Sequence, residues 1–420
     1  MEVASDQTRL ILDLGLPLFD SNREPLDSYQ LRRMNTAQLT AGGFLPGVDG
    51  LFDDRQSPDA ILLSHAHLDH TGLLEHASSD IPVYATVGTS KMMLAGSLFA
   101  GQVGLSRERY RELKPEQSVT IGDLTVTPYS VDHSIFDCVA LLIEGEGKRI
   151  LYTGDLRLHG RKPGMAQRLI DVSSEQPLDV LIQEGTHFGL PDGARQTEYE
   201  LEAEIVREVS EAKSLLLASF SPQHVDRLVA FMRAAKRTGR TFVADVYTGF
   251  VLHLIASQTA VPRPGESDDL RVYFPENLVK SAGRRGILNK FEKMFASSRI
   301  ELGEILNDPV KHLMVFRPSM LGDFRQEFPP GTICIYSRWK GYLESPEWEE
   351  TKNALKKNSV CGEVLPELHT SGHILSEDIV RFVNALRPKT IIPVHTFCPE
   401  EFSQHFENAR LAQDGEPVEV

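Results

Sequence analysis

The stretch AILLSHAHLDH, residues 60–70, joins a short apolar run to four side chains of metal-binding types. The run AILL predicts a buried strand. Residues two apart on an extended segment project to the same side, so His65 and His67 can reach one ion. Asp69 and His70 stand at the turn into the next predicted helix and can face a second ion. Imidazole and carboxylate ligands suit Zn²⁺, with Mn²⁺ as a competitor; the alternative, a cluster of solvated loop residues, is disfavoured by this density.

The composition is that of a globular protein with room for two domains. Of the 420 residues, 41% are hydrophobic and 25% charged, which is enough apolar material to bury a core. No run approaches the roughly 18 apolar residues of a membrane span, and the start MEVASDQTRL lacks the profile of a signal peptide. The expected location is the cytoplasm, with no membrane partner. Reduced thiols are expected at the four cysteines, which form no C-x-x-C pair: Cys138, Cys334, Cys361 and Cys398.

The formal net charge of −15 disfavours a protein that coats nucleic acid through bulk electrostatics, because that mode relies on many Lys and Arg side chains. It does not exclude a nuclease. An enzyme that threads one strand into a metal site needs only a local basic lining, since the metals supply the strongest positive charge in the cleft.

Strands and helices alternate along the chain, which predicts a layered α/β fold. In the first part, strands are predicted at 9–14, 60–65, 118–131, 138–144, 149–154 and 179–185, with a hairpin turn at 144–147 and a helix at 88–100. Further on, Thr197 and Glu200 fit a capping box that begins a helix. A strand–helix–strand unit typical of a parallel sheet is predicted at 214–220, 222–237 and 240–246. A last helix and strand deliver His395.

The H-x-H-x-D-H run at 65–70 resembles the signature of the metallo-β-lactamase superfamily, and further positions of that pattern follow in order. Asp13 in LILDLG resembles the early aspartate that supports the site from behind its ligands. His133 in SVDHSI resembles the next ligand, and Asp155 in LYTGDLR resembles the aspartate that bridges both metals. The resemblance implies two Zn²⁺ ions, one held by His65, His67 and His133 and the other by Asp69, His70 and the later His395.

Four later motifs resemble those of the β-CASP nucleases, nearest to bacterial ribonuclease J. They are IQEGT at 182–186, the pattern from Phe220-Ser221 to Arg227, HTSGH at 369–373 and PVH at 393–395. In that family an α/β domain is inserted into a four-layer αββα core, and the chain returns to the core with the last metal ligand. The resemblance therefore implies a core in residues 1–194, a β-CASP insert in 195–355 and a return to the core in 356–420.

Residue by residue, Glu184 matches the first β-CASP motif, His373 the second and His395 the third. A histidine in the third motif is typical of RNA-processing members, so the expected substrate is single-stranded RNA. His373, oriented by Glu184, is expected to protonate the leaving oxygen, while Asp69 and Asp155 hold the attacking hydroxide between the metals. The alternative for Glu184 is a structural carboxylate at a strand end. The match also implies substrate contacts at Ser221, Arg227, His369 and Ser371.

The chain departs from ribonuclease J after the third motif, where that family usually continues with Gly-Glu. Here Thr396-Phe397 follow, and the extra C-terminal domain is missing, so dimer or monomer and endo or exo cleavage are left open. Three functions compete with an RNA nuclease: a DNA nuclease of the same branch, a thioester or lactone hydrolase on the same metal core, and a non-catalytic scaffold. The insert and the Glu184–His373 pair disfavour the hydrolase, and the complete ligand set disfavours the scaffold.

Several side chains near these motifs have two interpretations each. Three cations after Asp155 either contact phosphates or lie on a solvated face: Arg157, Arg161 and Lys162. Arg227 is either a helix-surface cation or a phosphate contact. Trp339 and Tyr342 could stack on bases, but burial in the core of the insert is favoured. Surface or structural roles are expected for His159, His187 and His224.

Overall fold

The computed structural model describes residues 1–20, 22–191, 195–357 and 363–420. The chain divides into two compact units. Met1–Arg195 and Gly372–Val420 together form the first unit, and Gln196–Ser371 form the second.

The described ranges contain sixteen strands, fourteen α-helices and three short 3₁₀ helices. The strands, in chain order, are β1 (Glu2–Ala4), β2 (Arg9–Leu12), β3 (Ala60–Leu62), β4 (Val83–Thr86), β5 (Tyr110–Leu113), β6 (Val119–Ile121), β7 (Leu124–Ser130), β8 (Val139–Gly145), β9 (Lys148–Tyr152), β10 (Val180–Glu184), β11 (Leu216–Ser219), β12 (Thr241–Asp245), β13 (Leu270–Tyr273), β14 (His312–Val315), β15 (Ile333–Tyr336) and β16 (Thr390–Val394). The helices are α1 (Ser28–Leu31), α2 (Thr36–Ala41), α3 (Leu68–Thr71), α4 (Val87–Phe99), α5 (Pro163–Ser173), α6 (Glu198–Glu211), α7 (Val225–Arg237), α8 (Val246–Ile255), α9 (Glu276–Arg284), α10 (Leu288–Met294), α11 (Leu302–Asn307), α12 (Pro346–Lys357), α13 (Ser376–Leu386) and α14 (Pro399–His405). The 3₁₀ helices lie at Pro309–Lys311, Pro318–Met320 and Lys340–Glu344.

Two sheets face each other in the first unit. One has the order β1-β2-β3-β4-β5, in which β2 to β5 are parallel. The other has the order β16-β10-β9-β8-β7-β6, in which β16, β10 and β9 are parallel and the remaining pairs antiparallel. Buried side chains of both sheets share one hydrophobic core, to which Leu10, Leu62, Val126, Leu141 and Ile182 contribute. Helix α4 packs on β4 and α5 on β7. The fold class predicted from the sequence is thereby confirmed.

The hairpin predicted near residues 144–147 is formed by β8 and β9. The two strands pair antiparallel, with Gly145 opposite Lys148. Between them, Glu146 and Gly147 have φ values of 51° and 75°, the left-handed values that a two-residue turn of type I′ needs. Helix α3 begins directly after His67, at the turn that the sequence predicts.

The second unit contains a five-stranded parallel sheet of order β13-β12-β14-β11-β15. Successive side chains of a strand point to opposite faces, so Leu216 of β11 packs into one core and Leu217 into another. The predicted unit of β11, α7 and β12 is present, with β14 inserted between its two strands. The capping box of Thr197 and Glu200 is confirmed, with both reciprocal hydrogen bonds formed.

The second unit extends past residue 355, the predicted end of the insert. The backbone N–H of Cys334 donates to the carbonyl of Val364 at 2.9 Å, and that of Leu368 donates to Tyr336 at 2.9 Å. The segment after α12 therefore continues beside β15 and belongs with this sheet. A boundary drawn from motif positions could not show this backbone pairing.

Two predictions fall outside the described residues: the first domain boundary, at residue 194, and the thiol of Cys361. The cysteines within the described ranges are free, as predicted: Cys138, Cys334 and Cys398. Among the described residues, no helix is long and apolar enough to cross a membrane.

A buried ion pair joins α6 to α7 in the second unit. Arg227 and Glu198 are both fully buried, with Nη2 of the guanidinium 3.0 Å from the carboxylate. Arg227 also donates to Ser337, and its nitrogens lie 3.5 Å from the carbonyl oxygens of Leu368 and Thr370. The interpretation of Arg227 as a surface cation is therefore wrong, because α7 turns this residue into the interior, where Glu198 neutralises it.

Replacing Arg227 with methionine should lower the free energy of unfolding by about 3–5 kcal/mol, because the Glu198 carboxylate is then buried without its cation. Chemical denaturation followed by circular dichroism measures the loss. Arg233 on the same helix is the matched control: its side chain is 50% exposed and pairs with Glu202, so Arg233→Met should cost less than about 1 kcal/mol. Equal losses in the two variants would contradict a special role of the buried pair.

Candidate metal centre

Five strands of the first unit bring the side chains of the site together. Strands β9, β10 and β16 are parallel neighbours, so their carboxyl ends lie at one edge of their sheet. Asp155 follows β9, Glu184 is the last residue of β10, and His395 follows β16 directly. In the same sheet His133 follows β7, and in the facing sheet His65 follows β3.

Three imidazoles form the first group of ligand atoms. Nδ1 of His67 lies 3.1 Å from Nε2 of His65 and 3.1 Å from Nε2 of His133. The three nitrogens lie within 4.8 Å of one another, a spacing that one ion can bridge. Burial lowers the pKa of His65 and His133 well below the usual value and lowers the pKa of His67 to about 4. The rings are therefore neutral at pH 7 and offer lone pairs to a metal.

A second group is formed by Asp69, His70, Asp155 and His395, whose ligand atoms also lie within 4.8 Å. Nε2 of His70 lies 3.2 Å from Asp155, and Nε2 of His395 lies 3.2 Å from Asp69. Asp155, against the effect of burial, raises the pKa of His395 to about 9. Burial disfavours a charge on His70, yet the carboxylates of Asp155, Asp13 and Asp69 raise its pKa. A metal cation would displace these protons.

Asp155 stands between the two groups. Its Oδ2 lies 3.7 Å from Nε2 of His65 and of His133 in the first group, and 3.2 Å from Nε2 of His70 in the second. The residue is only 2% exposed, and neither carboxylate oxygen accepts a well-aligned hydrogen bond from any described residue. Buried carboxylates without donors are rare and costly. The donor set and these two oxygens therefore fit a metal site.

Asp13 holds the site from behind. Its Oδ2 accepts hydrogen bonds from Nδ1 of His70 at 2.7 Å and from the hydroxyl of Tyr152 at 2.6 Å. Its Oδ1 accepts from the backbone N–H of Ser64 at 2.7 Å. With Nδ1 occupied in this way, the Nε2 atom of His70 is the one that faces Asp155. Asp13 thus has the contacts that its predicted supporting role requires.

Glu184 and His373 form a pair beside Asp155. Nδ1 of His373 lies 3.1 Å from Oε2 of Glu184 and 3.7 Å from Oδ2 of Asp155. Burial disfavours a charge on His373, but the carboxylates of Glu184 and Asp155 raise its pKa above the usual value. The two carboxylates therefore favour the protonated form of the imidazole. Together with His395, the three residues also have the spacing of a metal site, so the geometry admits both a proton donor and a ligand at His373.

Backbone conformation is unusual at three ends of strands in the site. Asp13 and His395 have φ values of 52° and 51°, which residues other than glycine rarely adopt. Gly154, directly before Asp155, has φ 54°, and a Cβ there would come within 2.7 Å of the Cβ of Ser64. The T-G-D triplet therefore requires glycine. In residues other than glycine such conformations cost on the order of 1–3 kcal/mol each, and here both of these residues, Asp13 and His395, are predicted site residues.

Three groups at the site received no role from the sequence. The hydroxyl of Thr186 lies 2.9 Å from Glu184, 2.8 Å from Nδ1 of His395 and 3.2 Å from Nδ1 of His373. Thr186 lies inside the IQEGT motif, so its place two residues after Glu184 was the available signal. The hydroxyl of Tyr152 contacts Asp13, and the carbonyl oxygen of Gly372 lies 2.6 Å from Nδ1 of His133; the sequence does not mark either position.

The four predicted substrate contacts belong to the second unit. Ser221 follows β11 and is half-buried, Ser371 is half-buried and ends the unit, and His369 is exposed. Nη1 of Arg227 lies 3.4 Å from Nδ1 of His369. Arg227 therefore contacts the segment that carries His369 and Ser371, in addition to its ion pair with Glu198.

Arg157 fits neither of its two interpretations. Its side chain is buried, and its Nε lies 2.9 Å from Asp132. The backbone N–H of Lys162 donates to the same carboxylate at 2.8 Å. The chain after Asp155 thus folds over Asp132, a buried partner that no pattern in the sequence predicts.

The predicted burial of Trp339 and Tyr342 is wrong. Their exposed fractions are 56% and 52%. The core of the second unit is filled instead by Trp348, which packs edge-on against Tyr336 at a centroid distance of 5.0 Å. Helix α12 carries Trp348 inward, whereas the two other rings lie at the short 3₁₀ helix before it.

Two family descriptions match this chain. Residues 45–188 match the beta-lactamase superfamily domain, and residues 364–417 match the Zn-dependent metallo-hydrolase RNA specificity domain. The first stretch contains the residues from His65 to Glu184, and the second contains His373 and His395. The match to a Zn-dependent family and the compatible cluster of histidines and aspartates support a metal cofactor.

Curated relatives carry the name ribonuclease J. The protein of Corynebacterium glutamicum is 26% identical over 404 residues, which cover 92% of this chain and 50% of that protein. The protein of Mycolicibacterium smegmatis is 26% identical over 380 residues, covering 84% and 60%. An RNase J-like protein of Methanocaldococcus jannaschii is 24% identical over 219 residues, covering 48% and 50%. The chain thus spans between 50% and 60% of the length of these relatives.

The fold recurs in a crystal structure of a protein of unknown function from Enterococcus faecalis. The TM-score is 0.76 at 22% sequence identity, and the match covers 99% of this chain and 95% of that one. The two domain matches and the relatives aligned over most of the chain agree with the arrangement of the histidines and aspartates described above. The resemblance predicted from the sequence is confirmed: the chain is similar to the metallo-β-lactamase superfamily and, within it, to ribonuclease J.

Proposed function

We propose that this protein is a two-metal phosphodiesterase that cleaves single-stranded RNA. The observation that carries the proposal is the position of Asp155 between two groups of ligand atoms, each within 4.8 Å. A phosphodiester is the substrate class that benefits most from two adjacent cations, because its charge and its attacking and leaving oxygens can be shared between them. The names of the relatives and the RNA specificity domain matched by residues 364–417 support RNA.

The proposed ligands follow the two groups. His65, His67 and His133 would hold one Zn²⁺, and Asp69, His70 and His395 the other, with Asp155 shared; Mn²⁺ is the competing metal. When bound, such ions offset the charge of the phosphate and make a water molecule acidic enough to react near neutral pH. Asp69 and Asp155 would orient that water, and Asp13 would support His70.

His373 is the proposed general acid and Glu184 its partner. The 3.1 Å contact between them and the raised pKa of His373 favour a proton on the imidazole. That proton would pass to the leaving ribose oxygen, which is a poor leaving group without one. Thr186, bonded to Glu184, would hold the carboxylate in place.

In this proposal the unit Gln196–Ser371 is the inserted β-CASP domain. Its residues Ser221, His369 and Ser371 would contact the RNA, while the buried Arg227 would hold the segment 368–370 through its hydrogen bonds. The choices between endo and exo cleavage and between a dimer and a monomer stay open. The cytoplasmic location stays a prediction.

The purified protein should carry close to two transition-metal ions per chain, because two ligand groups share Asp155. Asp155→Ala should lose metal as well as activity, since it contributes to both groups. Asp123→Asn is the control, because that carboxylate in the same unit bonds Ser5 and Thr8; its metal content should not change. Elemental analysis gives the counts. One ion or none in the wild type, with no gain on adding Zn²⁺ or Mn²⁺, would count against two metals.

His373→Ala should keep both metals and lower the turnover rate by about 10² to 10⁴, the usual contribution of a general acid. Glu184→Gln should lose a similar factor, and the double variant little more, because two residues serving one proton transfer act as a unit. His187→Ala, whose ring centroid is 6.4 Å from that of His373, is the control and should be close to wild type. If His373→Ala instead sheds an ion, His373 is a ligand and exchanges roles with His395.

Single-stranded RNA should be cut faster than DNA of the same sequence, because the third β-CASP motif ends in His395. Metal-loaded protein is incubated with 5′-labelled and 3′-labelled oligonucleotides of both kinds, and the product ladders also give the cleavage polarity. Equal rates on RNA and DNA would favour a nuclease without sugar preference. Hydrolysis of lactones or thioesters with no cleavage of nucleic acid would overturn the proposal.

A further inference from the structure

Two large aromatic rings lie exposed next to each other on the second unit. Trp339 is 56% and Tyr342 52% exposed; Trp339 directly precedes the 3₁₀ helix Lys340–Glu344, and Tyr342 lies within it. Their ring centroids are 5.4 Å apart with the planes at 86°. The other tryptophan of the chain, Trp348, is 3% exposed. Exposing one of two tryptophans beside a tyrosine leaves a large apolar surface in contact with water, which is costly unless something binds there.

The position of the indole is fixed by the backbone around it. The hydroxyl of Tyr336, at the end of β15, donates to the carbonyl oxygen of Trp339 at 2.8 Å. A Cβ on Gly341 would come within 2.1 Å of the indole ring, so the ring rests against a residue that must be glycine. Leu343 anchors the same turn in the core. The backbone that carries the two rings is therefore held in place before any ligand arrives, which lowers the cost of binding.

Positive charge accompanies the two rings. The guanidinium carbon of Arg338 lies 4.9 Å from the centroid of the Tyr342 ring. The side chain of Lys340 is 81% exposed and is 2.9 Å from Glu367. Glu367 offsets the charge of Lys340, so Arg338 is the cation that serves the two rings. On a chain with a net charge of −15, a guanidinium beside two exposed rings favours an anionic ligand with flat apolar groups. Single-stranded nucleic acid has both properties, since its bases stack on aromatic rings and its phosphates attract cations.

We infer that Trp339 and Tyr342 form a stacking site for the bases of single-stranded RNA. This inference rests on the proposed function and adds to it a binding site in the second unit. A base would stack on the indole of Trp339, with the Tyr342 ring held upright beside it and Arg338 near its phosphate. A site of this kind binds without sequence preference, because every base has a flat face. Duplex RNA would not use it, because its bases are already stacked.

The test is equilibrium binding of a single-stranded phosphorothioate RNA that resists cleavage, with the full chain and its metals. Trp339→Ala should weaken RNA binding roughly 5- to 100-fold, the range for loss of one stacked base. Tyr342→Ala should also weaken RNA binding. Gly341→Ala keeps every ring but displaces the indole, so it should also weaken binding. Trp339→Phe retains a flat ring and should restore most of the affinity.

Tryptophan fluorescence gives a readout that does not depend on activity. RNA should quench the emission of the exposed Trp339, and Trp339→Phe should abolish the quenching while the buried Trp348 still emits. Tyr29→Ala is the matched control, because Tyr29 is 60% exposed and has Arg33 over its ring at 5.3 Å but no second ring; its affinity should equal that of the wild type. Duplex RNA should bind the wild type and Trp339→Ala equally.

The failures of the two proposals are distinguishable. If the wild type cleaves RNA but Trp339→Ala binds single strands as tightly as the wild type, the stacking site is refuted and the proposed function stands. If Trp339→Ala converts a dimer into a monomer in light scattering, the rings are a contact between copies of the chain, and the stacking site is also refuted. If the wild type neither binds nor cleaves RNA, the proposed function fails and this inference fails with it.

Discussion

The buried carboxylate of Asp155 carries a charge that the residues around it must compensate. Its two oxygens accept no well-aligned hydrogen bond from any described residue, although it is only 2% exposed. An ionised carboxylate removed from water without a partner costs several kcal/mol. The imidazoles around it offset part of this cost by holding protons, as the raised pKa of His395 shows. A metal cation would offset it more fully.

Backbone contacts around Asp13 hold the turn that carries Asp69 and His70 in place. The backbone N–H of Leu14 donates to the backbone carbonyl oxygen of His70 at 2.8 Å, and that of Leu16 donates to the backbone carbonyl oxygen of Leu68 at 2.9 Å. A Cβ on Gly15 would lie 1.5 Å from the carbonyl oxygen of Asp69, so the chain after Asp13 can approach the ligand turn only as glycine. These contacts hold the left-handed conformation of Asp13 in place. The hydrogen bonds and close packing around Asp13 thus offset the cost of its strained backbone conformation.

Local patterns in the sequence predicted local structure well. The apolar run before His65, the hairpin of β8 and β9 and the capping box of Thr197 and Glu200 are all formed, because each depends on residues a few positions apart. The candidate ligand residues lie together in the structure. Spacing alone could not predict which distant strand ends meet, and the family resemblance supplied that information. Their roles stay predictions.

The errors have one physical cause, which is that burial depends on partners far away in the sequence. Arg157 and Arg227 lie inside the protein because Asp132 and Glu198 neutralise them there. Neither pair has the three- or four-residue spacing that marks an ion pair on a helix. Apolar character likewise predicted the burial of Trp339, but apolarity does not tell which of several nearby rings fills a core.

The end of the chain reaches the site through the pairing of two strands. Strands β10 and β16 pair in parallel with Glu184 opposite Val394, and the N–H of Gly185 donates to Val394 at 3.1 Å. This register places His395 beside Thr186, to which it is bonded. A slip of one residue would turn every side chain of β16 to the other face. The sheet register thus decides whether His395 can serve as a ligand.

The second unit, although inserted between β10 and β16, need not weaken that pairing. The hydroxyl of Thr370 donates to the carbonyl oxygen of Gln196 at 2.7 Å, so the first and last residues of the unit are tied to each other. A folded insert whose ends meet brings the two flanking segments of the chain close together. The entropy cost of pairing β10 with β16 then depends on these short segments rather than on the length of the whole insert. The same bond lies next to His369 and Ser371, and Arg227 holds the carbonyls on either side of His369. The contacts that close the second unit therefore also hold the segment that carries His369 and Ser371 within that unit.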